Sequence, residues 1–181
     1  MTTGQRNTGQ PATAFRTRRA IGIDPGSARL GYAVVEEQRS HLSLITCGVI
    51  QTSKADPMPR RLLQLHRDLT AIVEAHAGAE MAIEELFFAK NTTTIIAVGQ
   101  ARGVALLVAA AADIPVYEYK PMHVKQAVHG YGLANKEQVG EMVRVLLGLA
   151  EVPRPDDAAD AAAIAICHLH STHLDHLGGA R

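Results

Sequence analysis

Apolar and polar positions along the first third of the chain follow patterns that predict three β-strands. Residues 20–24 and 31–37 are short apolar runs, and residues 41–52 alternate apolar with polar side chains. Turn-forming segments at residues 25–27 and 37–40 separate these runs. An antiparallel meander of three strands is therefore expected.

Helical periodicity dominates the rest of the chain, beginning with residues 59–77, where Leu62, Leu65 and Leu69 share one face. The order of elements predicts an α/β domain in which a mixed five-stranded sheet is flanked by helices. Further helices are expected over residues 91–112, from residue 121, over residues 136–147 and over residues 156–173, and further strands over residues 80–85 and 114–119.

Length and composition limit the classes of protein to which the chain can belong. With 181 residues, 47% of them hydrophobic and 4% aromatic, it suits one domain with an aliphatic core. We place this domain at residues 20–174, followed by a flexible C-terminus at 175–181. Cys47 and Cys167 are expected to be buried, reduced thiols of a cytoplasmic protein. No apolar run approaches the ~20 residues of a membrane span, so no membrane association is expected.

The charges are divided unevenly along the chain. Residues 1–19 contain four arginines and no acid. Since the whole chain has 18 basic and 18 acidic residues, residues 20–181 carry a net charge of −4. The N-terminal tail is expected to be a disordered, dispensable extension, and weak electrostatic affinity for nucleic acid is the alternative role.

Several carboxylates stand where a core element ends. Asp24 ends the first strand, Glu84 or Glu85 ends a later one, and Asp157 and Asp160 lie three apart on one face of the last helix. Inward carboxylates without obvious basic partners repel each other, and divalent cations relieve that repulsion. Oxygen-only ligands favour Mg²⁺ or Mn²⁺, and two such ions about 4 Å apart support hydrolysis of a phosphodiester.

Each of these acids also has a purely structural interpretation. Asp24 would cap the turn that follows it, and Asp157 and Asp160 would form a solvated helix start. Asp156 suits the N-cap of the last helix better than a metal site. Strand alternation allows only one of the two adjacent glutamates to face the site, and Glu84 is preferred because its neighbours on that face belong to the core.

Five segments of the chain, taken together in order and spacing, resemble the RuvC family of Holliday junction resolvases. The resemblance spans roughly residues 20–172. It implies an RNase H-like fold and a homodimer that cuts two opposing strands of a four-way DNA junction, with two Mg²⁺ or Mn²⁺ ions per active site. It also implies a branch-migration helicase complex, RuvA and RuvB, as partner. The segments are GIDPGSARLGYAVVE, AIEELFFAKN, GQARGVALL, VKQAVHGYGLANKEQV and PDDAADAAAIAICHLH.

The same resemblance assigns roles to individual residues. It implies that the catalytic, metal-binding carboxylates are Asp24, Glu84, Asp157 and Asp160. It matches two lysines with catalytic and DNA-binding roles to Lys125 and Lys136, where they would neutralise charge at the phosphate. The DNA-contacting aromatic falls on Phe87, beside Phe88, and further DNA contacts are expected at Lys90, Asn91 and Arg102.

Two features of the helices leave alternatives open. Gly99 and Gly103 lie four apart, a spacing that lets another helix approach closely, and the resemblance implies that this helix forms the dimer interface rather than only packing on its own sheet. Histidines of the last helix are spaced in a way that hints at zinc, although solvated helix faces explain them more simply: His168, His170, His173 and His176.

The sequence therefore predicts a metal-dependent, structure-selective DNA endonuclease acting in recombination and repair. Three other functions remain open: an RNase H-like nuclease acting on RNA, an actin-like or sugar-kinase-like ATPase, and an inert junction-binding module. The ATPase lacks support because such proteins need a second phosphate loop and roughly twice this length. Intact acids at all four positions argue against the inert module.

Overall fold

The computed structural model describes residues 17–86 and 92–178; the side chains of residues 92–94 and 173–178 are not described. Ten elements follow in the predicted order. No helix within the described residues is both long and apolar enough to cross a membrane. The elements are β1 (Arg18–Asp24), β2 (Arg29–Gln38), β3 (His41–Gln51), α1 (Met58–Ala75), β4 (Glu80–Glu84), α2 (Thr92–Ala111), β5 (Val116–Tyr119), α3 (Pro121–His129), α4 (Lys136–Leu146) and α5 (Asp156–Gly178).

The strands form one mixed sheet in the order β3-β2-β1-β4-β5. The β1–β2 and β2–β3 pairs are antiparallel, as expected of a meander. The β1–β4 and β4–β5 pairs are parallel, so the carboxyl ends of β1, β4 and β5 meet at one edge of the sheet. The predicted mixed five-stranded sheet flanked by helices is confirmed.

The boundaries at the two ends of the fold differ from those predicted. Strand β1 begins at Arg18, because its arginines find acidic partners on β2: Arg18 lies 3.4 Å from Glu37, and Arg19 lies 2.6 Å from Glu36. Two of the four tail arginines therefore belong to the sheet. Helix α5 continues to Gly178 rather than ending at residue 173 or 174.

The two faces of the sheet carry different side chains. Ile21 and Ile23 of β1 face a core shared with α1 and α2, which also contains Leu65 and Leu69. The alternate positions of the same strand face α5 and its neighbours, and there the sheet presents small residues such as Ala20. Strand alternation therefore separates a large-residue core from a small-residue face.

Helix α5 lies unusually close to this small-residue face. A Cβ atom added to Gly22 would stand 2.0 Å from the carbonyl oxygen of Ala161, and one added to Gly31 would stand 2.1 Å from that of Asp157. Both neighbours are backbone atoms, so no rotamer change could make room. The absence of two side chains thus sets the distance between α5 and the sheet.

Candidate metal centre

Asp24 and Glu84 are brought together by the parallel pairing of β1 with β4. Gly22 is paired with Ala82 and Ile23 with Ile83, so the next positions in register are Asp24 and Glu84. Strand alternation turns both side chains toward α5. Both acids line a cavity of about 280 Å³ at the carboxyl edge of the sheet.

The remaining two acids come from the first turns of α5. Asp160 lines the same 280 Å³ cavity as Asp24. Asp157, one turn earlier, has its backbone against Gly31 of β2 and lines an adjoining open cavity of about 710 Å³. The four carboxylates predicted from the sequence therefore meet where the sheet edge and the start of α5 come together.

The structure also separates these acids from their sequence neighbours. Glu85 follows the last residue of β4; its amide donates a hydrogen bond to the carbonyl of Tyr119, and its side chain does not line the cavity. Asp156 is the first residue of α5 rather than its N-cap, so the capping prediction was wrong. Its carboxylate is exposed and lies 3.0 Å from Arg154. There it stabilises the positive end of the helix dipole.

Two cationic side chains of the protein bind Asp157 and Asp160, the outer carboxylates of the centre. Nε of Arg29 donates to Oδ2 of Asp157 at 2.8 Å, and Nη2 lies 2.6 Å from the same oxygen. Nζ of Lys136 lies 2.8 Å from Oδ2 of Asp160. The expectation that these acids lack basic partners is therefore wrong for the outer pair. Arg29 was missed because its partner is distant in sequence; its place at the start of β2, across the turn from Asp24, was the available signal.

The inner carboxylates are in a different electrostatic situation. Burial, and then the negative charges of Asp160, Glu84 and Asp157, raises the pKa of Asp24 to about 7 despite the opposing effect of Lys136. Burial and the charge of Asp160 also raise the pKa of Glu84, against the effect of Lys125. Burial is the larger cause at both positions, and the neighbouring carboxylates add to it.

The donor chemistry of this centre fits a hard divalent cation. Four carboxylates supply only oxygen, which is the ligand type preferred by Mg²⁺ and Mn²⁺. Within the described parts of the chain, no three His, Cys, Asp or Glu side chains stand in a ready-made ion-binding arrangement. Oδ2 of Asp157 bonds Arg29 and Oδ2 of Asp160 bonds Lys136, so an ion that used either oxygen would have to displace the cation bound there.

The raised pKa of Asp24 predicts how the stability of the metal-free protein depends on pH. In the unfolded chain an aspartate ionises near pH 4, and in the fold Asp24 ionises near pH 7, so stability is lost as pH rises between these values. Asp24→Asn removes that loss. In EDTA, we expect the variant to match the wild type near pH 4 and to exceed it above pH 7 by on the order of 2–4 kcal/mol. Urea unfolding across this pH range measures the difference.

The exposed Asp68→Asn change on α1 serves as the control for this measurement, because it removes a carboxylate that lies outside the centre. Its stability should follow that of the wild type at every pH. Parallel curves for wild type and Asp24→Asn would contradict the assignment of a raised pKa to Asp24.

The other residues predicted to contact DNA are placed as follows. Lys125 and Lys136 both line the 280 Å³ cavity. Arg102 does not line it; its guanidinium is paired with Glu118 of β5, and its side chain is only 15% exposed. The remaining predicted contacts lie outside the described residues: Phe87, Phe88, Lys90 and Asn91.

The histidine predictions need one correction. His168 is fully buried instead of solvated, because it joins a polar network with Glu80 at the start of β4 and Tyr119 at the end of β5. Its Nδ1 lies 2.8 Å from the hydroxyl of Tyr119, and its Nε2 lies 2.8 Å from Glu80, which Arg18 also contacts. Burial lowers the pKa of His168, although its hydrogen bond with Glu80 and the charge of that carboxylate oppose the effect. His170 lies 3.2 Å from the carbonyl of Ala127.

Comparison with known proteins shows that most of the chain matches one protein family. The model of the family described as crossover junction endodeoxyribonuclease RuvC matches residues 20–168. A relative of that description from Chloroflexus aurantiacus is 59% identical over 153 residues, which cover 84% of this chain and 93% of the relative. One from Desulfitobacterium hafniense is 53% identical over 161 residues, covering 88% and 98%.

Solved structures show the same similarity. Thermus thermophilus RuvC in complex with a Holliday junction substrate is 38% identical, with a TM-score of 0.84 over 87% of this chain and 96% of that one. The yeast mitochondrial Holliday junction resolvase Ydc2 is 15% identical, with a TM-score of 0.66 over 90% of this chain and 82% of that one. At that identity the likeness concerns the fold alone.

Proposed function

The chain belongs to the RuvC family of crossover junction endodeoxyribonucleases, and we propose that its four clustered carboxylates are the centre at which it hydrolyses DNA. The predicted family and the RNase H-like fold are confirmed. The enzyme is a metal-dependent hydrolytic nuclease that resolves Holliday junctions in DNA recombination and repair. The observation that supports the proposed centre is the convergence of Asp24, Glu84 and Asp160 on one cavity with Asp157 beside it.

The ligands of the proposed metal site are these four carboxylates, and the proposed cofactor is two Mg²⁺ or two Mn²⁺ ions. When bound, the pair of ions supplies an activated water and stabilises the leaving oxygen of the phosphodiester. The protein contributes fixed geometry, since Asp24 and Glu84 end paired strands and the glycine contacts hold α5 against the sheet.

Lys125 and Lys136 have separate parts in this proposal. Both line the cavity, on α3 and at the start of α4. A lysine in the same cavity as the carboxylates would neutralise negative charge that develops on the phosphate during cleavage. Lys136 would become available for this role if an ion replaced it as the partner of Asp160. Contacts of DNA with Phe87, Phe88, Lys90 and Asn91 stay part of the proposal on the strength of the family resemblance.

Helix α2 supports the proposal of a homodimer. One face of it is buried in the core, where Ala101 and Ala105 have no exposed surface. The opposite face is apolar as well, since Ile96 is 58% and Leu107 is 59% exposed. Gly103 lies between them on this exposed face, and a Cβ added there would meet nothing within 4 Å. Two enzyme copies related by a two-fold axis match a junction with two equivalent strands.

Charges placed on that exposed face are expected to separate the dimer. Ile96→Glu combined with Leu107→Glu would bury two charges per copy without partners, which costs several kcal/mol. Sedimentation velocity should show a shift to monomer and at least a ~100-fold weaker association. Leu63→Glu on α1, where the native side chain is 48% exposed, is the control and should leave the dimer intact. A dimer that survives the double change would place the interface elsewhere.

Three further parts of the proposal concern the surroundings of the enzyme. We place it in the cytoplasm, with the RuvA and RuvB branch-migration complex as partner. The proposed N-terminal basic tail is shorter than predicted from the sequence, because Arg18 and Arg19 belong to β1. The prediction that the segment before them is disordered concerns residues outside the described part of the chain.

A cleavage assay tests the function. The protein is incubated with a synthetic four-way junction, a linear duplex and a structured RNA, each with Mg²⁺, Mn²⁺ or EDTA. We expect paired symmetric nicks in the junction only, and none in EDTA. Cleavage of the RNA with an untouched junction would contradict the proposal and favour an RNase H-like activity on RNA.

A further inference from the structure

We propose that Arg29 is a positioning residue that holds Asp157 in the metal-free enzyme and exchanges this carboxylate for a DNA phosphate when the enzyme takes up its outer metal ion. This inference rests on the proposed metal-binding role of the four carboxylates. It extends that role by making an arginine of the protein a direct competitor of one of the ions.

The contact between Arg29 and Asp157 is an ion pair that another cation could displace. Two of the three guanidinium nitrogens, Nε and Nη2, reach the same carboxylate oxygen, at 2.8 and 2.6 Å. The guanidinium side chain is 46% exposed and the carboxylate side chain 29% exposed, so the pair lies at the solvent edge of the centre. An exposed pair of this kind contributes little free energy and breaks readily.

The backbone that carries Arg29 is firmly held, so only its side chain is free to exchange partners. The amide of Thr52 donates to the carbonyl of Ala28 at 3.0 Å, and the Thr52 hydroxyl donates to the carbonyl of Ser27 at 2.6 Å. Arg61 of α1 donates to the Ser27 hydroxyl at 3.1 Å. The residues before Arg29 are therefore anchored both to the end of β3 and to α1.

The surroundings of Arg29 offer its guanidinium a second anionic partner. Arg29 lines the open cavity of about 710 Å³ together with Lys136 and Arg154, so three cationic side chains stand at this opening beside Asp156 and Asp157. A guanidinium matches two phosphate oxygens at once, a geometry that lysine lacks. Once released from Asp157, Arg29 would remain at this opening and bind the DNA backbone there.

The inner and outer carboxylates differ in a way that makes the exchange specific to the outer site. Among the residues that the structure describes, Asp24 and Glu84 have no direct ion pair, whereas Asp157 pairs with Arg29 and Asp160 with Lys136. An ion ligated by the inner pair displaces no arginine. An ion ligated through Oδ2 of Asp157 would compete with Arg29 for that oxygen, and the guanidinium charge would also oppose an ion on Oδ1. Loss of Arg29 should therefore strengthen binding of that ion while removing a phosphate contact.

Arg29→Gln tests this combination of opposite effects. Mn²⁺ binding to the protein without DNA is measured by electron paramagnetic resonance, and single-turnover cleavage of a four-way junction is measured at saturating Mn²⁺. We expect the weaker Mn²⁺ site to bind about two- to fivefold more tightly, because an exposed ion pair no longer competes. Cleavage is expected to be about tenfold slower, because a charged hydrogen bond to the phosphate is lost.

Arg19→Gln is the matched control, since Arg19 forms a similarly exposed pair with Glu36 away from the centre; its variant should alter neither quantity. Arg29→Lys retains the charge without the two-pronged geometry, should restore Mn²⁺ affinity to that of the wild type, and provides a second variant if Arg29→Gln folds poorly. Unchanged or weaker Mn²⁺ binding, or tighter binding with unchanged cleavage, would overturn the inference. Failure of the wild type to bind Mn²⁺ would instead contradict the proposed metal centre.

Discussion

Asp24→Asn is expected to reduce cleavage of a four-way junction by roughly 10³-fold or more while leaving junction binding intact. The substitution preserves shape but removes the innermost negative charge of the centre, and loss of a group in direct contact with the reacting atoms typically has effects of this size. Binding should persist because removal of a carboxylate near the DNA lowers electrostatic repulsion of the phosphates.

Two measurements check this result. Single-turnover cleavage in Mg²⁺ gives the rate, and fluorescence anisotropy of a labelled junction in EDTA gives the affinity. Asp68→Asn is the control, because it makes the same chemical change on the outer surface of α1, and it should cleave at the wild-type rate. Cleavage by Asp24→Asn within tenfold of the wild type would remove Asp24 from the centre.

Gly31→Ala is expected to destabilise the protein by about 2–4 kcal/mol and to slow cleavage by about 100-fold. The added methyl group would stand 2.1 Å from the carbonyl oxygen of Asp157, so α5 must lift away from β2. That movement displaces Asp157, and a shift of about 1 Å at a reacting centre costs roughly 10² in rate. Urea unfolding gives the stability and the junction assay gives the rate.

Gly48→Ala provides a matched control on the neighbouring strand β3. A Cβ at this position would meet the ring and hydroxyl of Tyr32, 2.9–3.1 Å away, and these are the far end of a side chain that can rotate. We expect a loss below about 1 kcal/mol and normal cleavage. Equal losses for Gly48→Ala and Gly31→Ala would show that α5 is not held by the contact at Gly31.

The sequence predicted the four carboxylates of the centre because their positions depend on local rules. An acid at the end of a short apolar strand is visible without knowing the fold, and alternation within β4 favoured Glu84 over Glu85. The spacing of Asp157 and Asp160 likewise needed only helical periodicity. Each of these inferences uses residues within a few positions of one another.

The remainder depended on contacts that no local pattern contains. Arg29 and Asp157 are 128 residues apart, and His168 finds its partner Glu80 at a separation of 88 residues. Composition also misled the placement of Arg18, since a run of basic residues resembles a disordered tail until acidic partners on neighbouring strands are known. Polar contacts between residues distant in sequence were the missing information in all three cases.

The network around Arg18 and the carboxylate centre lie at opposite ends of the same strand. Strand β1 runs from Arg18 to Asp24, a rise of about 20 Å. A fluorophore, an affinity handle or a surface tether joined to the chain ahead of Arg18 would thus be attached at the side of the sheet facing away from the scissile DNA. Single enzyme molecules immobilised in this way should present their DNA-cutting side to junctions in solution.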